Sequence, residues 1–272
     1  MTAMLGAFSI PVIRYAFWGM LIAGGSFSLL GVIIVSLNLS AIRFTLMHVG
    51  LLGAAIGLAL GFSSGAGAFA LVMAASLAMG LSGKALSISS NSAMGLFMTG
   101  SLAGAFLLLS ASGVPAMDVF GVFAGNILLL TKADLALVAA LGAVILLAFA
   151  LARREIQLTL LDAELARAMG VPVDAVQTGL FLLVGAGVGA ALKLVGALLV
   201  DAVILLPGIA ALRFAKSFGQ ALVLSSLFGM ASCAAGFAGA LFLDLPIGAS
   251  AAAAASILLA ASIAASKIWN RR

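Results

Sequence analysis

Arg153–Asp174 reads RREIQLTLLDAELARAMGVPVD, the one long stretch of this 272-residue chain that cannot sit in hydrocarbon while almost everything around it can. It holds seven of the 21 charged residues (13 basic, eight acidic), four of the acids among them. Leu158, Leu161, Leu165 and Met169 recur at helical spacing. Asp162 is placed to cap a short helix, and Gly170 followed by Pro172 is placed to stop it. The pattern predicts a small amphipathic helix on a polar loop. Such a loop is either a solvated connection between membrane spans or a docking handle for a soluble partner.

Over the whole chain, 65% of residues are hydrophobic, 8% are charged, and the mean hydropathy is +1.34. Those values belong to a polytopic membrane protein. At about 20 residues per helical crossing, the length holds roughly eight to ten spans and no soluble catalytic domain. Strands of alternating polarity are absent, and backbone amides in lipid must be satisfied within their own segment, so the expected fold is all-α. The 32 glycines suit close helix packing. Cys233 is the only cysteine, which excludes a disulfide framework and a cysteine metal cluster. The net charge of +5 lies mostly at the ends of apolar runs, where it signals topology rather than a nucleic-acid partner. Tyr15–Leu37 has spanning length, longer than a secretory signal, and is expected to remain as a helix.

Working outward from the island, Asp134–Ala152 enters it as a span, and the apolar stretch Ala175–Leu212 leaves it. The latter would measure roughly 57 Å as one helix, too long for one crossing, so a break is expected near Lys193 to Gly196. Upstream, spans are expected at Tyr15–Leu37, from Ser40 to Phe62, at Ala68–Leu81 and at Ser92–Leu109, with a small-residue turn at Ser63–Gly67. Phe120–Leu130 is too short to cross and reads as interfacial or re-entrant. Two further spans, Ala221–Leu243 and Ile247–Ser266, flank a turn at Asp244–Pro246. The count is eight or nine.

Placing the island inside puts ten of the 13 basic residues on that side: Arg43, Lys84, Arg153, Arg154, Arg167, Arg213, Lys216, Lys267, Arg271 and Arg272. Arg14, Lys132 and Lys193 fall elsewhere. The island and the C-terminus are therefore expected in the cytoplasm.

Four stretches carry a resemblance. Phe181–Lys216, FLLVGAGVGAALKLVGALLVDAVILLPGIAALRFAK, resembles the MKxVGALLxxALLxxPAATA run of the permease subunits of bacterial manganese, zinc and iron ABC importers. LDAELARAMGV at Leu161–Val171 is similar to that family's cytoplasmic coupling segment, FAGNILLLTKADL at Phe123–Leu135 to its FGNILxVSxxDL, and SSNSAMG at Ser89–Gly95 loosely to its DTAIG. The resemblance implies a single compact permease domain over residues 1–272, with its coupling segment at about 153–174, in the bacterial plasma (inner) membrane. It also implies an ABC ATPase subunit below, an extracytoplasmic solute-binding protein outside, and a second permease subunit in a homodimer. The chain carries no phosphate loop of its own, so ATP would be held and hydrolysed by the partner; no cofactor is expected here. As coupling helix, the island would present Asp162, Glu164 and Arg167 to water and bury Leu158, Leu161 and Leu165, with Met169 and Gly170 completing the contact.

The departures bear on cargo. Where the family reads GDALSH, this chain reads RFTLMH: His48 is retained, Arg43 and Phe44 replace the glycine and aspartate, and Asn91 replaces the aspartate of DTAIG. Asp201 stands where the family has a small residue. An ionisable group inside a span is costly and marks function or a helix-to-helix hydrogen bond. At 1.5 Å per residue, His48 lies about 12 Å and Asp201 about 18 Å above the expected cytoplasmic span ends. The two are therefore candidate ligands for a transported divalent metal, Asp201 standing in for the missing aspartate. Importers of the same build with a non-metal nutrient, and a stand-alone secondary transporter, are the alternatives.

Overall fold

The computed structural model describes residues 10–82, 90–113, 117, 119 and 130–269. Every regular element among them is helical. The long helices are α1 (Pro11–Ser36), α2 (Ile42–Ala59), α3 (Ser64–Ser82), α4 (Ser90–Ser112) and α5 (Lys132–Leu151). Two short helices follow, α6 (Arg153–Leu161) and α7 (Ala163–Ala168), and then the long α8 (Val173–Val195). A broken stretch comes next: α9 (Ala197–Val200), a π-helical turn at Asp201–Leu205, and α10 (Leu206–Leu212). The long α11 (Phe218–Leu243) and α12 (Ile247–Trp269) complete the order.

Eight of these, α1 to α5, α8, α11 and α12, are long and apolar enough to cross a membrane. The ninth expected crossing, residues 197–212, is a shorter apolar stretch broken into three pieces. Residues 197–212 rise only about 24 Å at 1.5 Å per residue, against a hydrocarbon core of about 30 Å. Polar side chains begin the helices where the backbone runs out of partners. Ser63 Oγ accepts from the Ala66 N–H (3.3 Å) at the head of α3, so the expected turn at Ser63–Gly67 is instead the first turn of a helix. Thr131 and Asp134 cap α5 reciprocally, Asp134 N–H to Thr131 Oγ1 at 3.2 Å and Thr131 N–H to Asp134 Oδ2 at 3.1 Å. Ser217 Oγ accepts from Gln220 N–H (3.3 Å), and Gln220 Oε1 from Lys216 N–H (2.8 Å), to open α11.

The chain divides into two compact units. The first comprises Met1–Val35, Asn126–Leu146 and Leu194–Arg272; the second comprises Ser36–Gly125 and Leu147–Lys193. In the first, close approach depends on residues without side chains. A Cβ on Gly24 would lie 2.6 Å from the Gly229 carbonyl oxygen, which binds α1 to α11 backbone to backbone. Ser225 Oγ, buried, donates across the same crossing to the Ser28 carbonyl (2.7 Å). In the second unit, Leu51, Ala54 and Ala55 of α2 form a core with Ala68 of α3 and Ala105 and Leu109 of α4. Thr45 Oγ1 donates to the Met94 carbonyl (3.1 Å), tying α2 to α4, and Thr178 Oγ1 to that of Gly80 (3.2 Å), tying α8 to α3.

Candidate functional site

The island folds as an elbow of two helices rather than one. Asp162 leaves helical space (φ −158°, ψ 110°) and its Oδ1 accepts from the N–H groups of Glu164 (2.9 Å) and Leu165 (3.0 Å), so it ends α6 and caps α7 together. Gly170 at φ +83° then turns the chain, with its N–H bonded to the Arg167 carbonyl (3.0 Å). Arg167 Nη2 pairs with Asp174 Oδ1 at 3.0 Å, pinning α7 to the first turn of α8.

The expected buried face is corrected by this geometry. Leu161 is 77% and Leu165 50% exposed; Ile156, Thr159 and Ala166 are the residues turned inward. The kink at Asp162 breaks the helical register that would have kept Leu158, Leu161 and Leu165 on one face. Leu161, Leu165 and Met169 therefore stand outward together with Asp162, Glu164 and Arg167.

His48 lies in the second turn of α2, half-buried, between Met47 and Val49, both buried. Its Nδ1 is 2.6 Å from the Phe44 carbonyl oxygen, one turn earlier. A carbonyl only accepts, so the neutral ring carries its proton on Nδ1 and its acceptor lone pair on Nε2. Phe44, where the family pattern has aspartate, is 42% exposed, and the Arg43 guanidinium carbon sits 4.5 Å above its ring.

Asp201 opens the π turn, half-buried, and its carbonyl accepts the wide-turn hydrogen bond from the Leu206 N–H. The break before it is at Gly196 (φ +77°, ψ 174°), as the length of the apolar stretch demanded. Ala202 to Leu205 are all buried, and so are Pro207, Gly208, Ala210 and Ala211. Such irregular backbone persists at membrane depth only where protein sheathes it, and here α11 and α12 pack around it. A Cβ on Gly31 of α1 would drive into the Ile204 carbonyl oxygen, and one on Gly208 would lie 2.8 Å from the Val32 nitrogen, so α1 seals the turn from a further side. The π turn carried no signal in the sequence; Gly31 was visible only as one glycine among many.

His48 belongs to the second compact unit and Asp201 to the first. Among the described residues, no group of three or more His, Cys, Asp or Glu side chains converges on a metal position. Lys193, exposed at the end of α8, lays its alkyl chain over Gly65, in keeping with a snorkelling role. The expected re-entrant stretch Phe120–Leu130 lies outside the described residues except for Leu130, and so do Lys84, Arg271, Arg272 and the side chain of Asn91.

Comparison with known proteins gives this geometry a context. The chain is 27% identical over 252 residues to the manganese transport system membrane protein MntC of Halalkalibacterium halodurans, covering 93% of this chain and 86% of that one. It is 36% identical over 91 residues to the chelated iron transport system membrane protein YfeD of Yersinia pestis, covering 34% and 31%. Its fold matches PsaBC from Streptococcus pneumoniae, solved in complex with Fab, with a TM-score of 0.80 at 25% identity over 96% of this chain and 94% of that one. The family described as the ABC 3 transport family matches residues 9–266, a range that takes in all eight long helices, the elbow and the π turn almost end to end. With a sequence match of that extent and a helical fold of the same build, the chain belongs to the ABC 3 transport family.

Proposed function

We infer that the chain is the membrane-spanning permease subunit of an ABC importer, with a divalent transition metal (Mn, Zn or Fe) as cargo. The observation that carries this reading is the elbow. A pair of short helices joined and capped at Asp162 between two spans, with Leu161, Leu165 and Met169 exposed beside Asp162, Glu164 and Arg167, is suited to seat in a groove of a soluble partner. That partner is a separate ATPase subunit, which binds and hydrolyses the ATP. The residue 1–272 chain acts as one permease domain in the bacterial plasma membrane, elbow and C-terminus in the cytoplasm, which requires the broken stretch 197–212 to carry the chain across as a ninth passage. A second permease copy and an extracytoplasmic solute-binding protein complete the assembly. The names of the relatives, transporters of manganese and of chelated iron, support the metal. His48 and Asp201 are each proposed as a ligand to the metal, imidazole and carboxylate being donor types that a borderline-soft divalent ion takes.

One observation favours a cargo other than a simple divalent cation: Arg43 places a guanidinium over Phe44, where the family pattern has a carboxylate. Uptake separates the two. In proteoliposomes holding the permease with its ATPase, His48→Ala and Asp201→Asn are expected to lose metal uptake while retaining the ATPase. Leu165→Glu with Met169→Glu is expected to lose the ATPase or its coupling. Wild-type uptake in both ligand variants would leave those residues structural; a wild-type chain that moves no free metal would favour the second reading.

A further inference from the structure

The end of α5 carries a feature that transport does not use. This apolar span stops at Leu151, 76% exposed, and Ala152 turns the chain (φ −99°, ψ 20°) into α6, whose first two residues are Arg153 and Arg154. In the angle between span and elbow lies an open cavity of about 530 Å³. Its lining is of two kinds, the two arginines and Gln157, and apolar residues that include Leu151, Leu158 and Leu161.

We propose that this cavity binds the headgroup of an anionic phospholipid. The argument is one of depth, charge and shape. A cavity at the terminus of a membrane-crossing helix opens at the hydrocarbon–water boundary, the depth at which phosphodiesters lie. Two guanidinium groups, both exposed, offer forked donors matched to phosphate oxygens, and Gln157 adds an amide for the glycerol or its esters. The leucine wall takes the first methylenes of an acyl chain. The neighbouring carboxylate, Glu155, is half-buried and is not part of the wall. The cavity adjoins the face proposed for the ATPase and shares Leu161 and Met169 with it, whereas Glu164, Leu165 and Arg167 do not line it. Bound there, a lipid would brace the angle of the elbow against the span.

The test uses the full chain purified from membranes and titrated with phosphatidylcholine nanodiscs, with and without phosphatidylglycerol, retained lipid being counted by native mass spectrometry. Arg153→Gln with Arg154→Gln is expected to weaken phosphatidylglycerol binding roughly 30-fold, about five-fold for each guanidinium removed near an anionic headgroup. Phosphatidylcholine retention is expected to stay unchanged, and Arg153→Lys with Arg154→Lys, which keeps the charge and loses the fork, to fall between. The control is Arg213→Gln with Lys216→Gln, which removes the same charge at the end of α10, where both residues are exposed. Equal loss of lipid in control and site variants would reduce the effect to general surface charge and overturn the proposal. Loss of ATPase co-purification with lipid retention intact would overturn it in favour of a protein interface.

Discussion

The elbow at 152–172 and the broken stretch at 196–217 both interrupt the succession of long helices, and they do so by opposite means. In the elbow, water is available, so side chains do the work: Asp162 satisfies two amides, Arg167 pairs with Asp174, and the large apolar residues can stand outward. In the broken stretch no side chain caps α9 or α10. The irregular backbone at Gly196 and the π turn is tolerated because α11 and α12 pack on it and because Gly31 and Gly208 let α1 approach to backbone contact. An interruption in water is held by polar chemistry; one at membrane depth is held by the absence of side chains.

If that contrast is right, Gly31→Ala should be among the most damaging single methyl additions, together with Gly229→Ala, whose new Cβ would drive into the Gly24 carbonyl oxygen. The new Cβ meets a carbonyl oxygen that cannot rotate away, and overpacking of this kind costs about 1–3 kcal/mol or more. The same change at Gly179 of α8, where nothing lies within 4 Å of the added methyl, should be silent. Thermal unfolding in detergent followed by gel filtration compares the two; equal midpoints would break the distinction.

In the elbow, Asp162→Ala removes both ends of one device, ending α6 and capping α7, and should cost about 1 kcal/mol. The span bundle should be untouched, because the loss is confined to solvated helix ends. Hydrogen exchange is the sharper measure here, with faster exchange expected at the Glu164 and Leu165 amides and none of the increase reaching α8.

The smallest effect belongs to Arg167→Gln. Its ion pair with Asp174 is about half exposed on both sides, at 47% and 54%, and is worth less than about 1 kcal/mol. A double-mutant cycle with Asp174→Asn should return a coupling energy that shrinks further as salt is raised. A large, salt-independent coupling would mean that the elbow depends on buried polar chemistry after all.

Much of this was legible beforehand. Asp162, Gly170 and the Gly196 break are punctuation that acts on its immediate neighbours, so their roles could be read from three or four residues of context. The outward turn of Leu161 and Leu165 could not. Helical spacing gives relative phase within one helix, and the kink at Asp162 resets that phase.

Composition and the spacing of charges determined that the chain is all-helical, crosses a membrane many times and carries one solvated island, because the cost of a charge or an unsatisfied amide in hydrocarbon is local and applies wherever the residue sits. The π turn at Asp201 and the backbone contact at Gly31 were decided only by tertiary structure. Each depends on which atoms another turn or another helix brings within 3 Å, and 32 glycines in one chain do not announce which of them will face a carbonyl.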